Sequence, residues 1–311
     1  MRIVSFSRVI VALLALVAAA CDDPTSPGGR EGVIAFDSFR EGEDLGFYVM
    51  PARGGRATRL ALPQTAIGQA IAWAPDGRRI AFVARVSNGT RSVNQIFIAN
   101  ADGTGSRQVT TASENDATFP AWSPDGNTLA YFDNGVGAWG INLVGTDGSA
   151  PTRIASTTRV ALGRPTWSPL GAELAFVGRR DTPESQGLYI IRTDGSDLRP
   201  VTINGSVSAP AWSPNGTVIA YVEDIDDAAD TRRIALIQPD GTNRRFLTDS
   251  GGFHTGPSWS PAGDAIAFQS SSRGGVSSRL LIIQVSSGRT TSLTKGTSYD
   301  QRPSWGRVSE P

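Results

Sequence analysis

The pentapeptide Trp122-Ser123-Pro124-Asp125-Gly126 decides the fold, because four related copies of it recur along the chain. The other copies occupy Trp73 to Gly77, Trp167 to Gly171, Trp212 to Gly216 and Trp259 to Gly263. Proline fixes φ at the second position of a turn, Asp or Asn suits the third, and glycine accepts the positive φ that closes a hairpin through a bulge. Each copy is therefore predicted to be a tight turn between two antiparallel strands.

These turns belong to a longer repeat. Its tryptophans are 45 to 49 residues apart, at Trp73, Trp122, Trp167, Trp212, Trp259 and Trp305, a spacing typical of four-stranded propeller blades. An apolar triplet such as Ile80-Ala81-Phe82 follows each phrase, and a third strand then ends in an Asp-Gly turn such as Asp102-Gly103. Six tryptophans predict an all-β, six-bladed β-propeller of four-stranded blades over residues 32–306.

The two ends of the repeat region predict how the ring closes. The chain enters at Val33 to Phe36, which matches the second strand of a blade, and it leaves at Arg302 to Trp305, which matches the first. We expect the C-terminal first strand to join the N-terminal second, third and fourth strands in one shared blade, because this pairing removes two exposed sheet edges. Residues 307–311 are expected to be a short tail.

Taken together, these residues resemble the WD40-like (PD40) repeat of the TolB family of periplasmic propellers, whose unit reads close to P-x-W-S-P-D-G, I-A-F, I-Y-V, D-G and L-T. The resemblance covers about residues 32–306 and implies a propeller. We expect a lipoprotein form without the α/β domain that precedes the propeller in TolB. The same repeat occurs in binding proteins and as the lid of peptidases, so the resemblance specifies architecture more than function.

The first 31 residues predict export and anchoring. The apolar run Val9 to Ala20 would span only about 18 Å as a helix, against about 30 Å of hydrocarbon, so residues 1–20 are interpreted as a signal peptide. Small residues before Cys21, the only cysteine, predict cleavage and lipidation there, and Asp22 to Glu31 is expected to be a flexible tether. The alternative is an ordinary signal peptide that is cut nearby. The expected location is the cell envelope, lipid-anchored and facing the periplasm or exterior.

Composition excludes several function classes. The chain has 29 basic and 29 acidic side chains, so it lacks the concentrated positive charge of a nucleic-acid binder. His254 is the only histidine and no G-x-S-x-G motif occurs, which argues against triad hydrolysis and multi-histidine metal sites. The acidic loop from Glu223 to Asp230 lacks the Gly and Glu positions of an EF-hand. We predict no catalytic residues, no cofactor and no metal.

The two faces of the predicted ring differ. The phrase turns and the Asp-Gly turns keep one length and define the constant face, whereas the other connections vary and define the variable face, where recognition usually lies. The tether joins the ring on the constant face, so the variable face should look away from the membrane. Candidate partner-binding residues on the variable face are Trp139, proposed as a surface anchor in a Gly-rich loop, Arg179, Arg180 and Arg232, with a polar cluster of Asp116, His254 and Asp300 at the channel mouth.

Two functions remain open from sequence. The leading hypothesis is a monomeric, non-catalytic envelope lipoprotein that binds a protein or peptide on its variable face and contacts the membrane only through its lipid. The alternative is a propeller that binds a small molecule or saccharide, with weak lyase or hydrolase activity. A deep polar pocket at the channel mouth would favour the alternative, and a broad, shallow, apolar and Arg-bearing rim would favour the leading hypothesis.

Overall fold

The computed structural model describes residues 32–40, 45–87, 89, 91–111, 115–134, 139–157, 164–179, 186–203, 205–226, 231–249, 251–272, 275 and 277–307. The described residues form strands, turns and loops without any helix, which confirms the all-β prediction, and none of them belongs to a helix long and apolar enough to cross a membrane. The predicted signal peptide, Cys21 and the tether lie outside the described residues.

The chain contains 24 strands in the described regions. They are β1 (Val33–Phe39), β2 (Gly46–Pro51), β3 (Thr58–Arg59), β4 (Ala66–Trp73), β5 (Arg79–Ser87), β6 (Ser92–Asn100), β7 (Arg107–Gln108), β8 (Ala117–Trp122), β9 (Thr128–Asp133), β10 (Trp139–Gly145), β11 (Thr152–Thr157), β12 (Thr166–Trp167), β13 (Glu173–Gly178), β14 (Gly187–Arg192), β15 (Arg199–Pro200), β16 (Val207–Trp212), β17 (Ile219–Asp226), β18 (Thr231–Ile237), β19 (Arg245–Phe246), β20 (Phe253–Trp259), β21 (Ala265–Ser271), β22 (Ser278–Gln284), β23 (Thr290–Ser292) and β24 (Tyr299–Gly306).

Most of these strands pair as antiparallel groups of four that resemble propeller blades. Three sheets contain four consecutive strands each, namely β4–β7, β8–β11 and β12–β15. The remaining strands form one twelve-stranded sheet. Within it, β18 meets β20 and β22 meets β24 through one parallel residue pair each, whereas all other pairings are antiparallel.

The repeated phrase forms the predicted turn. Its five glycines adopt φ between +66° and +77°, and the Asp-Gly glycines of the second turn adopt φ between +85° and +88°. In the copy at Trp122, the amide of Gly126 donates to the carbonyl of Ser123 at 2.9 Å. The carboxylate of Asp125 accepts hydrogen bonds from the Ser123 hydroxyl and the Asn127 amide, and these bonds lower the pKa of Asp125. The turn is therefore held by its own side chains.

The core lies between neighbouring sheets. The apolar triplets that follow the phrases, such as Ile80-Ala81-Phe82 and Ile219-Ala220-Tyr221, are at most 2% exposed, which confirms them as buried strands. Six hydrophobic clusters each combine residues of two groups of strands that follow each other along the chain, or of its two ends. Packing between sheets, with a single cysteine in the chain, supplies the apolar burial that a fold without disulfides requires.

The C-terminal strand pairs with the N-terminal strand. Strand β24 is antiparallel to β1, with Trp305 opposite Ile34 and Asp300 opposite Ser38. Trp305 is 7% exposed and shares a cluster with Ile34 and, on the preceding strands, Ile282. The last strand of the chain therefore contributes to the core of the first.

Candidate functional site

The six repeat tryptophans surround one cavity. Their strands, β4, β8, β12, β16, β20 and β24, are called the tryptophan strands below. Strand β24 contacts β4, and each further tryptophan strand contacts the next until β20 contacts β24 again. The cavity between them measures about 300 Å³ and its wall contains Trp73, Trp122, Trp167, Trp212, Trp259 and Trp305. It opens on the constant face, because the turn prolines Pro75, Pro124, Pro214 and Pro261 also line it.

Three of the tryptophan side chains join neighbouring strands by hydrogen bonds. The indole Nε1 of Trp122 donates to the carbonyl of Ala72 at 3.0 Å. Trp167 donates to Ala121 at 3.0 Å, and Trp259 donates to Ala211 at 2.9 Å. Each acceptor immediately precedes the tryptophan of the previous strand. These tryptophans consequently have a structural role, because they link sheets as well as packing in the core.

Trp73 breaks this pattern. Its Nε1 is buried and has no hydrogen-bond partner among the described residues. Gly306 packs against the same indole, since a Cβ atom built on that glycine would lie 2.5 Å from Cγ of Trp73. The contact between β24 and β4 is therefore close but leaves one donor unsatisfied in the wall of the cavity.

Arg164 is the charged group at the inner end of this cavity. It precedes β12, yet its Nη1 lies 3.2 Å from the carbonyl oxygen of Ile71 on β4. Its Nη2 lies 3.5 Å from the carbonyl oxygen of Pro303 on β24. Because β12 is not sequentially adjacent to either strand, the side chain reaches across the space that the tryptophan strands enclose. Burial lowers the pKa of Arg164 to about 10, so the guanidinium is still charged at neutral pH.

The wall of the cavity carries positive charge without a matching acid. Arg164 and Arg307 line it, and no Asp or Glu does so among the described residues. Arg302 on β24 is paired separately, because its Nη2 binds the buried carboxylate of Asp37 on β1 at 2.7 Å. Burial raises the pKa of Asp37, and the charge of Arg302 opposes that rise.

The residues predicted as a polar cluster each have local partners. Asp116 accepts hydrogen bonds from the Asn94 amide at 2.7 Å and the Asn134 side chain at 2.9 Å. Asp300 accepts from the Ser38 hydroxyl at 2.6 Å and the Ser298 hydroxyl at 2.9 Å.

His254 also makes its contacts with neighbouring residues. Its Nε2 lies 3.6 Å from a carboxylate oxygen of Asp249, its ring packs edge-on against Phe268, and its Nδ1 is buried without a partner in the described part of the chain. Burial lowers the pKa of His254, so the ring is neutral at neutral pH. Within the described ranges no contact joins His254 to Asp116 or Asp300, and the structure places the three residues in separate networks.

The other predicted variable-face residues differ in their positions. Trp139 is the first residue of β10 and is partly buried against the cluster that contains Phe132, which differs from the expected loop anchor. Arg232 lies in β18, where its Nε is 2.7 Å from a carboxylate oxygen of Asp224 and its guanidinium covers the ring of Phe253 at 4.2 Å.

Arg179 and Arg180 follow β13. Arg179 is partly exposed and has contacts of its own, whereas Arg180 lies outside the described residues. The acidic loop is also compensated where it is described, because Glu223 pairs with Arg244 at 2.5 Å. No group of three or more metal-ligating side chains occurs in the ranges that the structure covers.

Sequence reasoning missed Arg164 and a set of exposed apolar side chains. The sequence signal for Arg164 was its position directly before a proline, Pro165. Arg302 and Phe119 occupy the equivalent place on their strands, and each also precedes a proline. Those two residues adopt positive φ of +52° and +55° beside irregularities in strand pairing.

The missed apolar residues on the variable face are Phe39, Ile203 and Ile225, which are 48%, 59% and 43% exposed.

Comparisons with known proteins agree with this architecture. TolB from Acinetobacter baumannii superimposes with a TM-score of 0.75 at 18% identity, covering 98% of this chain and 74% of that one. A putative TolB from Agrobacterium tumefaciens gives 0.64 at 18% identity, covering 90% and 100%. An oligogalacturonate lyase in complex with manganese gives 0.57 at 16% identity, covering 86% and 74%. At these identities the likeness concerns the fold alone.

No curated protein matches the sequence itself. The sequence profile described as the TolB beta propeller domain (PD40) matches residues 18–201 and 137–309, which together span most of the chain. The chain therefore belongs to the TolB β-propeller (PD40) family.

Proposed function

We propose that this protein is a non-catalytic, monomeric scaffold of the cell envelope that binds a protein or peptide on its variable face. The observation that carries the proposal is the exposed apolar surface of that face. Ile203 and Ile225 are more than two-fifths exposed, and the segments that bear them are linked by a hydrogen bond from the Asp224 amide to the Ser206 carbonyl at 2.9 Å. Exposed apolar side chains grouped beside charged ones are typical of protein-binding surfaces.

The border of this apolar pair is charged. Arg232 and Asp224 form an ion pair beside it, and Arg232 remains about one-third exposed. An arginine that is already oriented by a carboxylate and an aromatic ring loses less conformational freedom when a partner binds. We infer that this edge supplies the polar rim around the apolar contact.

The proposed scaffold is a ring of six blades, with β24, β1, β2 and β3 forming the shared blade. The pairing of β24 with β1 and the unbroken series of contacts between the tryptophan strands support this closure. Closure would leave the twelve-stranded sheet as three blades joined by single parallel pairs.

The proposed anchor is a lipid on Cys21. The described chain begins at Gly32, where a Cβ atom would lie 2.8 Å from Nε1 of Trp305, so the tether would leave the ring beside the tryptophan-walled cavity. Under this arrangement the constant face is turned to the membrane and the variable face is free for a partner.

The experiment compares capture by variants of the full-length lipoprotein in detergent-solubilised envelopes. The double variant Ile203→Asp/Ile225→Asp should lose the partner that the wild type retains after crosslinking. Leu170→Asp is the matched control, since Leu170 is 93% exposed in a turn of the constant face. Exposed substitutions change stability by less than about 0.5 kcal/mol, so all variants should fold. Equal capture by both variants would refute the variable-face proposal.

The alternative function, binding of a small molecule or saccharide, is favoured by one observation. The cavity of about 300 Å³ is at the lower end of the size range of ligand pockets, and its wall combines aromatic and charged groups. It lies on the constant face, so it is separate from the surface proposed for the protein partner.

A further inference from the structure

We propose that the tryptophan-walled cavity is an anion site, in which Arg164 receives a carboxylate carried at the leading end of an elongated, largely apolar ligand. The site is on the constant face and goes beyond the proposed variable-face function. Its failure would leave that function untouched.

Arg164 lies deep in the cavity. The carbonyl groups that Arg164 contacts belong to Ile71 and Pro303, each two residues before the tryptophan of its strand. Two residues of an extended strand span about 7 Å. The guanidinium therefore lies below the level of the tryptophans, and a ligand entering from the constant face meets it last. The charged group of such a ligand must be at its leading end.

The positive charge of Arg164 favours an anionic ligand. A guanidinium offers five N–H donors, and the described partners of Arg164 are two neutral carbonyl oxygens at 3.2 and 3.5 Å. Neutral carbonyls satisfy donors but leave the positive charge uncompensated. No acidic side chain lines the cavity among the described residues. A partly desolvated cation without a counter-charge is stabilised strongly by an incoming anion.

A carboxylate is the type of anion that fits this guanidinium. A planar guanidinium matches a carboxylate by two parallel hydrogen bonds. Only one arginine lies at the inner end, which suits a monoanion better than a doubly charged phosphate. A monocarboxylate is therefore the ligand class that the site fits.

The remainder of the ligand would meet a mostly apolar wall. The lining contains the six tryptophans, four alanines and two rows of prolines, the outer row in the turns and the inner row of Pro165, Pro210 and Pro257, together with Arg307. These surfaces favour apolar contact. Thr166, Ser258, Ser260 and Ser304 are its hydroxyl-bearing side chains, and three of them have contacts within the fold.

The competing explanation is that Arg164 only stabilises the fold, by linking the segment before β12 to β4 and β24 through hydrogen bonds. Both roles predict that substitution lowers stability. Only the anion site predicts selective binding of a carboxylate over its uncharged amide by the wild-type protein. The probes are benzoate and benzamide, which have nearly the same shape, titrated into the purified full-length protein by tryptophan fluorescence and calorimetry.

We expect benzoate to bind at least about tenfold more tightly than benzamide, as a charge-assisted contact requires. Arg164→Gln should remove this preference. Arg78→Gln should retain it, because Arg78 is exposed on the same face and does not line the cavity. Equal binding of the two probes by the wild type, or a preference that survives in Arg164→Gln, would overturn the proposal. The wild-type comparison stands even where Arg164→Gln does not fold.

A second pair of probes separates the two sources of a carboxylate. A tripeptide that ends in phenylalanine is compared with the same peptide carrying a C-terminal amide. If the free-acid peptide binds about tenfold more tightly than benzoate, the site is assigned to a polypeptide carboxyl terminus. Weaker binding of the peptide than of benzoate would assign it to a small free acid. Equal binding of the free-acid peptide and its amide would exclude a polypeptide carboxyl terminus as the ligand.

Discussion

Deletion of Arg302 to Pro311 should abolish cooperative folding, because it removes five of the eight residues of β24. The deleted residues include Trp305, which is 7% exposed. Loss of one buried tryptophan side chain typically costs about 3–5 kcal/mol. The deletion also removes Arg302, the partner of the buried Asp37 carboxylate at 2.7 Å. Leaving a buried charge unpaired costs about a further 3–5 kcal/mol.

These two losses together are about 6–10 kcal/mol, even though neighbouring contributions are not strictly additive. A domain has a total stability of about 5–15 kcal/mol, so the truncated chain should be largely unfolded or should melt far below the wild type. The assay is thermal unfolding followed by far-ultraviolet circular dichroism. Removal of residues 308–311 alone is the control and should leave the melting temperature unchanged. A truncated protein that melts cooperatively within a few degrees of the wild type would refute the shared blade and the proposed ring closure.

Three further predictions test other contacts. Arg302→Met should destabilise the protein in urea denaturation at pH 7 by about 3–5 kcal/mol. Removing the cation lets the already raised pKa of Asp37 rise further. The deficit should therefore be small at a pH below the folded pKa of Asp37 in the wild type, where the carboxyl is protonated in both folded proteins, and should grow as the pH rises above that pKa. Gly306→Ala should cost about 1–3 kcal/mol, because the new Cβ atom would overlap the indole of Trp73 at 2.5 Å, and an unchanged melting temperature would contradict this packing. Cys21→Ser should shift the protein from the membrane fraction to the soluble fraction, and mass spectrometry that finds an unmodified wild-type N-terminus cut elsewhere would exclude the lipid anchor.

The repeat was readable from sequence because its physical causes are local. A turn of the form Trp122 to Gly126 needs only its own proline, acid and glycine to close, and the positive φ of its glycine confirms the prediction. The apolar triplets are buried on both sides, so they are recognisable from composition without knowledge of their partners. The pairing of β24 with β1 was predicted by matching the two chain ends to different parts of one repeat.

The side chains around the channel were not predictable in the same way. Asp116, His254 and Asp300 occupy similar repeat positions, and sequence suggested that they meet. In the structure Asp116 and Asp300 form hydrogen bonds with neighbouring residues, such as Asn134 for Asp116, whereas His254 lies beside Asp249 and its Nδ1 has no partner among the described residues. Equivalent repeat positions lie at corresponding places on their strands, but their side chains meet only when they are long enough to reach one another.

By itself, the sequence determined the all-β class, the positions of the turns, the buried strands and the membership of the TolB repeat family, because each depends on residues within about one repeat. Only the tertiary structure decided that Arg164 crosses the enclosed space to reach carbonyl groups on β4 and β24. It also decided that Trp139 begins a strand and packs inward. Contacts of this kind depend on the angle at which distant sheets face each other, and no local pattern of residues records that angle.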